Sequence, residues 1–536
     1  MNPRYREKYP QKQMIKKHRK YLDIDFYKLG IGILFLSIVG LYTFFDKSGM
    51  PQVTLLAFVS MIGGYMAINI GANDVANNVG PAVGSKALTL VGAIIIAAIF
   101  EASGALIAGG DVVSTIKKGI IDPNLIADTG VFIWIMLAAL LGGAIWLNIA
   151  TAMGAPVSTT HSIVGGVMGA GIAAKGWHIV DWSMMGQIAA SWIISPLLGG
   201  LIAALFLYII QDRIFHKENT LEAAKKVVPF LIAIMSFAFF TYLALKGIKK
   251  VIKIDLTTAL FTGAIFGIIS YLTVKALIIK ASKKLSNKRS DINKLFTLPL
   301  IFAAALLSFA HGANDVANAI GPVSAIYEAL QSGSITQKAT IPLWVMVVGA
   351  LGIAIGLATY GPKLIKTVGS EITDLDQTRA WSIAISSAIV VIIASWLGLP
   401  VSSTHIAIGG VFGVGYLRYY LYQKYENEIE GVKAHHVKSI NKKIAKWSRK
   451  REGLEDETER TRFQNRIAAK EQELKDLKTG AEIEFSNKER KRLSKIEKRQ
   501  YVRREMLIKI ITAWLVTVPA SAFIGSLLYF IISYTM

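Results

Sequence analysis

Long stretches without a single charged residue constrain the fold of this chain more than any other feature. Residues 182–211, 227–245 and 256–274 are three of them. Each is about as long as the roughly 20-residue helix that crosses the hydrocarbon core of a bilayer. Hydrophobic residues make up 53% of the chain, and a soluble protein does not gather them into uncharged runs. We therefore predict an all-α polytopic membrane protein with about 10–12 transmembrane segments, broken or re-entrant helices included.

The distribution of charge predicts the orientation of the chain. The formal net charge is +23, and Lys and Arg cluster in the N-terminal tail, around 280–294 and in 424–504. Basic segments beside apolar runs stay in the cytoplasm, so we expect all three, and the N-terminus, on that side. The last segment can also contact anionic lipid headgroups. It mixes many Glu residues with its Lys and Arg, so no nucleic-acid partner is expected.

These patterns predict the organisation of the chain. Its parts are a basic cytoplasmic tail (1–28), a first transmembrane half (29–274) with a first repeat at 51–175, a basic connector (275–294), a second transmembrane repeat (295–419), a charged helical cytoplasmic insertion (420–507) and a final transmembrane helix (508–536). The apolar segment 29–45 lacks a convincing cleavage site, so we expect a retained helix rather than a signal peptide. The insertion is expected to form charged helices that turn near Thr479 and Gly480. The chain has no Cys, which excludes disulfides and thiol chemistry.

Two motifs each occur twice. "GANDVAN" begins at Gly71 and again at Gly312, and "GAPVSTTHSIVGGVMGAG" at Gly154 returns as "GLPVSSTHIAIGGVFGVG" at Gly398. The repeating unit is thus a whole bundle of helices. The second motif carries a Pro, which removes a backbone donor and ends a helix. We expect breaks near residues 155 and 399, with Ser158 and Ser402 as caps of a following helix. Matched breaks of this kind are typical of secondary transporters.

The first motif places carboxylates in apolar surroundings, where an ionised group costs a few kcal/mol. Asp74 and Asp315 are each flanked by asparagines, namely Asn73, Asn77, Asn314 and Asn318. These hard oxygen ligands suit a cation such as Na⁺, and backbone carbonyls freed by a helix break can complete its shell. The carboxylates can instead accept protons. A purely structural alternative is that the Asp-Asn pair only ends a helix.

The second motif has the character of an anion site. Its hydroxyls belong to Ser158, Thr159, Thr160, Ser402, Ser403 and Thr404. At a helix start they join free backbone N–H groups and the positive end of the helix dipole. The alternative is that these hydroxyls only bond to backbone carbonyls of their own membrane helix. No Lys or Arg lies inside either motif, so a cation or protons must neutralise the anion. The sequence therefore favours coupled symport.

Three further side chains are candidates for chemistry. His161 and His405 follow the hydroxyls, but no nucleophile elbow or triad spacing accompanies them, so we expect no enzyme activity. The two histidines are expected to pack or to support neighbouring ligands, the alternative being proton handling. Glu101 is a candidate for a third cation or proton site, the alternative being a residue at the membrane interface. The corresponding part of the second half, "VVGALGIAIGLATYG", has no acid. The two halves are therefore not chemically equivalent.

The paired motifs "GANDVAN" and "PVS[TS]TH" resemble the inorganic phosphate transporter (PiT) family, which includes bacterial phosphate permeases and animal type III sodium–phosphate cotransporters. The likeness extends over residues 51–416 through "AVGSKALTL", "FEASGA" and "GPKLIKTVGSEITDLDQTRAWSIAISSA". It implies two inverted repeats with phosphate between them. It also places Asn73, Asp74, Asn314 and Asp315 near substrate and coupling ions, and the hydroxyls of both broken segments around phosphate. Glu101 matches an acidic position of the family pattern.

Two features depart from this pattern. The second copy reads "PVSST" where the first reads "PVSTT". The insertion after Tyr420 and the helix at 29–45 lie outside the resemblance, so it implies nothing about their roles.

The expected function is import of inorganic phosphate by symport with Na⁺ or H⁺ through alternating access. No cofactor beyond the coupling ion is expected, and we expect a homodimer in the inner (plasma) membrane. A sulfate or other oxyanion permease, an anion channel and a phosphate-sensing receptor are the alternatives. Near neutral pH phosphate retains a proton that it can donate to a carboxylate, and sulfate does not. The acids beside the hydroxyls therefore favour phosphate.

Overall fold

A computed structural model describes residues 11–126, 128–153, 155, 157–247, 254–335, 341–362, 365, 375–479 and 504–535. These residues form helices and connecting segments, with one isolated β-bridge between Ile121 and Val180. Ten of the described helices are long and apolar enough to cross a membrane. The predicted class, an all-α polytopic membrane protein, is thereby confirmed.

Sixteen α-helices are found in the described ranges. The first eight are α1 (Gln11–Asp46), α2 (Val53–Gly84), α3 (Leu90–Ala108), α4 (Gly110–Lys118), α5 (Thr129–Ala152), α6 (Thr159–Lys175), α7 (Trp182–Ile210) and α8 (Thr220–Lys246). The other eight are α9 (Leu256–Ser282), α10 (Arg289–Leu295), α11 (Thr297–Ser332), α12 (Leu343–Thr359), α13 (Gln377–Trp396), α14 (Ser403–Glu452), α15 (Glu457–Thr479) and α16 (Arg504–Thr535).

The two copies of the first motif lie inside continuous helices. Helix α2 runs through residues 71–80, and α11 runs through 312–321. The alternative that the Asp-Asn pair only ends a helix is therefore wrong. Asn and Asp weaken a helix when their side chains bond to their own backbone. Here Asn73 and Asp74 bond instead to side chains of other elements, so the backbone ladder is left intact.

The breaks at the second motif are confirmed. Helix α5 ends at Ala152 and α6 begins at Thr159, with Ser158 Oγ accepting a hydrogen bond of 3.1 Å from the backbone N–H of His161. Helix α13 ends at Trp396, and Ser402 Oγ accepts a 3.2 Å bond from the N–H of His405 in α14. Each serine is thus a helix cap, as predicted. Pro156 lies outside the described residues.

Glycines bring the motif helices into backbone contact with their neighbours. The position that a Cβ of Gly71 would take is occupied by the carbonyl of Ile353 in α12, and the carbonyl of Glu101 in α3 occupies that of Gly312. Small residues permit this close approach in membrane helices, where helix association depends on packing. The contact at Gly312 fixes the helix that carries Glu101 against the second motif helix.

The next membrane-spanning helix after each broken segment packs against the other broken segment. In α7, Gly199 contacts the carbonyl of Ile406 in α14. In α16, the backbone of Val518 lies against Gly165 of α6. The final transmembrane helix therefore covers the first broken segment, and both segments are buried within the bundle.

Residues 415–502 form a second compact unit. Within it α14 ends at Glu452 and α15 begins at Glu457, with a turn at Gly453 between them. Lys450 Nζ lies 5.8 Å from the ring centre of Phe463. The turn expected at Thr479 and Gly480 falls at the edge of the described ranges, since residues 480–503 lie outside them.

A buried ion pair joins α4 to the end of α11. Lys117 Nζ and Glu328 Oε2 are in contact, and both side chains are less than a tenth exposed. Leaving one buried charge without its partner costs about 3–5 kcal/mol, whereas an apolar pair of similar volume is tolerated. We expect Lys117→Met to lower the thermal unfolding midpoint, and Lys117→Met with Glu328→Leu to restore most of it. Equal destabilisation by the single and double variants would contradict the ion-pair account.

Candidate transport site

The two aspartates of the first motif meet at the centre of the bundle. Asp74 of α2 and Asp315 of α11 are both about 1% exposed. His311 lies between them, with Nε2 2.9 Å from Asp315 Oδ2 and 3.6 Å from Asp74 Oδ2. The two motif copies are separated by more than two hundred residues in sequence and contribute to one cluster.

The hydroxyls at the starts of α6 and α14 bind these carboxylates. Thr159 donates a hydrogen bond of 2.9 Å to Asp74 Oδ2, and Ser403 donates one of 3.0 Å to Asp315 Oδ2. Thr404 donates to the other oxygen of Asp74 at 3.1 Å. The first helical residue after each break therefore binds the aspartate of one motif copy. The positive, N-terminal ends of both helices face the carboxylates.

Two asparagines cross from one half to the other. Asn77 Nδ2 donates to Thr404 Oγ1 at 2.7 Å, and Asn318 Nδ2 donates to the hydroxyls of Thr159 and Thr160 at 3.2 Å each. Thr160 in turn donates to the carbonyl of Val401. The Oδ1 atoms of Asn77 and Asn318 are buried and have no hydrogen-bond partner among the described residues. Asn77 and Asn318 thus each leave their amide oxygen free within the described part of the chain.

The remaining asparagines of the first motif hold the broken segments in place. Asn73 Nδ2 donates to Thr151 Oγ1 at 3.0 Å, and its Oδ1 accepts from the N–H of Val157 at 3.1 Å. The side-chain amide of Asn314 lies 3.0 Å from the hydroxyl of Ser395. Both asparagines are buried. They join the motif helix to the segment that carries the hydroxyls.

Glu101 extends the cluster on one side only. Its Oε1 accepts a 2.7 Å hydrogen bond from Asn78 Nδ2 and lies 3.3 Å from His311 Nδ1. The sequence reasoning missed His311. The letter before "GAND" is His in the second copy and Ile70 in the first, and a comparison one position upstream would have revealed it.

His161 and His405 pack in a row of aromatic rings. Their ring centres are 4.4 Å apart, and Trp192 and Trp514 lie 3.7 Å from His161 and His405 respectively. Both imidazoles are buried. This arrangement agrees with the packing role expected for them, and it links the two broken segments to each other.

The cluster has an excess of acid. Asp74, Asp315 and Glu101 are buried beside a single histidine, and neither motif contains Lys or Arg. A buried carboxylate is costly unless a counter-charge or a proton accompanies it. One ligand atom each from Asp74, His311 and Asp315 lies within 4.8 Å of the others. The geometry thus suits the reversible binding of a cation or of protons.

Three comparisons relate this arrangement to known proteins. The sequence model of the phosphate transporter family matches residues 70–525. A provisionally named phosphate permease of Helicobacter pylori strain J99 is 48% identical over 521 residues, covering 96% of each chain. A second, from Thermococcus kodakarensis strain KOD1, is 42% identical over 364 residues, or 68% of this chain and 89% of that one.

A solved structure described as the sodium-dependent phosphate transporter is similar over 90% of this chain and 100% of its own, with a TM-score of 0.71 and 30% identity. The family match includes both copies of each motif. This chain therefore belongs to the phosphate transporter family, a class of membrane transporters and not of enzymes.

Proposed function

We propose that the protein imports inorganic phosphate by symport with Na⁺ through alternating access at the central cluster. The observation that carries this proposal is the meeting of three buried carboxylates with the hydroxyl-bearing starts of two helices. A phosphate anion that enters this cluster adds charge of the same sign. It binds only when a cation or protons enter with it, which is the thermodynamic requirement for coupling.

Oxygen ligands favour Na⁺ as the coupling ion. The free Oδ1 atoms of Asn77 and Asn318, with the carboxylates of Asp74 and Asp315, form a set of hard oxygens at the centre. The solved relative is described as sodium-dependent, which supports the same choice here. H⁺ coupling is the second candidate, because His311 and Glu101 are in contact and can exchange a proton.

Hydroxyl donors favour an oxyanion as the other ligand. Thr159, Ser403 and Thr404 can rotate from the carboxylates to an anion once cations have neutralised the acids. The backbone N–H groups at the starts of α6 and α14 can then join them. A protonated phosphate also returns a hydrogen bond to a carboxylate, whereas sulfate has no proton to donate at neutral pH.

The arrangement in the membrane follows from the charge pattern. The basic N-terminal tail is assigned to the cytoplasm of a cell whose inner membrane holds the bundle. The two motif copies form inverted repeats, and access alternates as one repeat unit rocks against the other around the fixed cluster. The protein is assigned as a homodimer. These assignments go beyond family membership and belong to the same proposal.

Uptake of labelled phosphate into proteoliposomes tests the proposed function. An inward Na⁺ gradient is expected to drive uptake, and a proton gradient alone is expected to drive little. Excess unlabelled phosphate should compete, whereas excess sulfate should not. Uptake that depends on neither the Na⁺ nor the proton gradient would overturn symport. Uptake driven only by protons would make H⁺ the coupling ion, and faster transport of sulfate than of phosphate would overturn phosphate as the substrate.

A further inference from the structure

Four aromatic rings form a row where the two broken segments meet. In order, they belong to Trp192 of α7, His161 of α6, His405 of α14 and Trp514 of α16. Each tryptophan lies 3.7 Å, centre to centre, from the histidine of the broken segment that precedes it in the chain. The two imidazoles meet edge to face at 4.4 Å. Within the row, the contact between the imidazoles is therefore the one that joins the first broken segment to the second.

The row adjoins the transport site along the chain. His161 follows Thr159 by two residues, and Thr159 donates a hydrogen bond to Asp74. His405 directly follows Thr404, which donates to the same aspartate. The backbone N–H of each histidine is also bonded to the serine that caps its helix, at 3.1 and 3.2 Å. A separation of the two rings therefore also separates the two helix starts that carry the hydroxyls.

The imidazoles are buried without the hydrogen bonds that their nitrogens can make. His161 is 5% exposed and His405 is 2% exposed. Nδ1 and Nε2 of His161 and Nε2 of His405 have no hydrogen-bond partner among the described residues. A buried polar atom without a partner loses its hydration and gains nothing in return. A phenyl ring would fill nearly the same space without this cost, so the closed contact is less stable than an apolar contact would be.

We propose that the contact between His161 and His405 is a gate, which opens to water each time access to the central cluster alternates. This inference rests on the proposed function. Trp192 and Trp514 hold each imidazole on its own broken segment, so the row parts between the two histidines. The nitrogens that lack partners in the closed gate then bind water. This gain favours the opening of a contact that two apolar rings would keep shut.

Labelling of histidines with diethyl pyrocarbonate, located by mass spectrometry, tests the gate. The reagent carbethoxylates imidazole nitrogens that solvent can reach, so the labelling rate of His405 reports opening. His161→Phe removes the desolvation cost of the closed contact, which corresponds to about a tenfold change in the opening equilibrium. We therefore expect about tenfold slower labelling of His405, a higher thermal unfolding midpoint and slower phosphate uptake. His161→Ala removes the ring, so it should instead speed the labelling of His405.

His216→Phe is the control for these variants. His216 is exposed and lies outside the row, so the labelling of His405 and the uptake should match those of the unmodified protein. A role in packing alone predicts that His161→Phe keeps both normal uptake and the normal labelling rate of His405, and this result would overturn the gate. Proton transfer by His161 predicts loss of uptake at an unchanged labelling rate, which would overturn it as well.

The labelling rate separates the gate from transport, because it is measured without phosphate uptake. Na⁺-driven uptake by the unmodified protein, with equal labelling of His405 in all of the variants, would remove the gate alone. The expected changes in labelling, in a protein that takes up no phosphate, would remove the transport proposal alone.

Discussion

Replacing Asp74 with Asn is expected to reduce phosphate uptake at least about 100-fold. Asp74 accepts hydrogen bonds from both Thr159 and Thr404 and belongs to the cluster that receives the cation. Hydrogen bonds to a charged group contribute about 1.5–3 kcal/mol each, and 100-fold corresponds to about 2.7 kcal/mol. Asn keeps the shape but has one acceptor and no charge. Asp315→Asn should have a comparable effect, because Ser403 donates to it in the same way.

The control for these variants is Asp255→Asn. Asp255 is exposed and caps α9 by accepting a bond from the N–H of Thr258, and Asn caps a helix as well as Asp does. Its uptake should equal that of the unmodified protein. Normal uptake by both Asp74→Asn and Asp315→Asn would show that the transport site lies elsewhere.

Replacing Gly71 or Gly312 with Ala is expected to have the largest effect on folding. A methyl group at either position would overlap the backbone carbonyl of Ile353 or of Glu101. Backbone cannot rotate away, so the helices must separate. Overpacking of a close contact costs about 1–3 kcal/mol and sometimes more. The thermal unfolding midpoint should fall in both variants, and Gly312→Ala should also lose uptake because Glu101 moves relative to His311.

Gly186→Ala provides the matched control. Gly186 lies within α7, and a Cβ there would meet no atom within 4 Å. Ala favours a helix interior over Gly by about 0.5–1 kcal/mol, so the unfolding midpoint should stay the same or rise. Midpoints at Gly71→Ala and Gly312→Ala that match the Gly186→Ala value would contradict the close approach of the helices.

Much of the site was predictable because the two motifs repeat. The duplicated Pro with a following Ser predicts a helix end and a cap, and the caps at Ser158 and Ser402 follow from local chemistry. The apolar surroundings of Asp74 and Asp315 made them candidates without any structure. These inferences depend on residues that are close in sequence, where propensity and capping act.

The partners of these residues were not predictable from the sequence. Asn77 bonds to Thr404 across 327 positions of the chain, and nothing near Asn77 indicates which hydroxyl it meets. The alternative that the Asp-Asn pair ends a helix was wrong for the same reason. Asn73 and Asp74 bond across the bundle, and only the tertiary contacts decide whether such side chains disrupt their own helix.

The difference between the two halves is concentrated at one contact. Gly312 packs on Glu101 and Gly71 on Ile353, while His311 corresponds to Ile70. His311 and Glu101 thus form a polar pair at the place where the other half has Ile70 and Ile353. The absence of an acid from the part of the second half that corresponds to Glu101's segment was visible in the sequence. The pairing of Glu101 with His311 depends on the helix crossing that the glycines create.

The central claim is that Na⁺ and phosphate bind together at the cluster formed by both motif copies. Isothermal titration of the purified protein with phosphate, with Na⁺ and with choline in its place, tests it most directly. The account predicts that Na⁺ tightens phosphate binding at least about tenfold, and that phosphate tightens Na⁺ binding by the same factor, because linkage is reciprocal. Equal phosphate affinities in the two salts would contradict it.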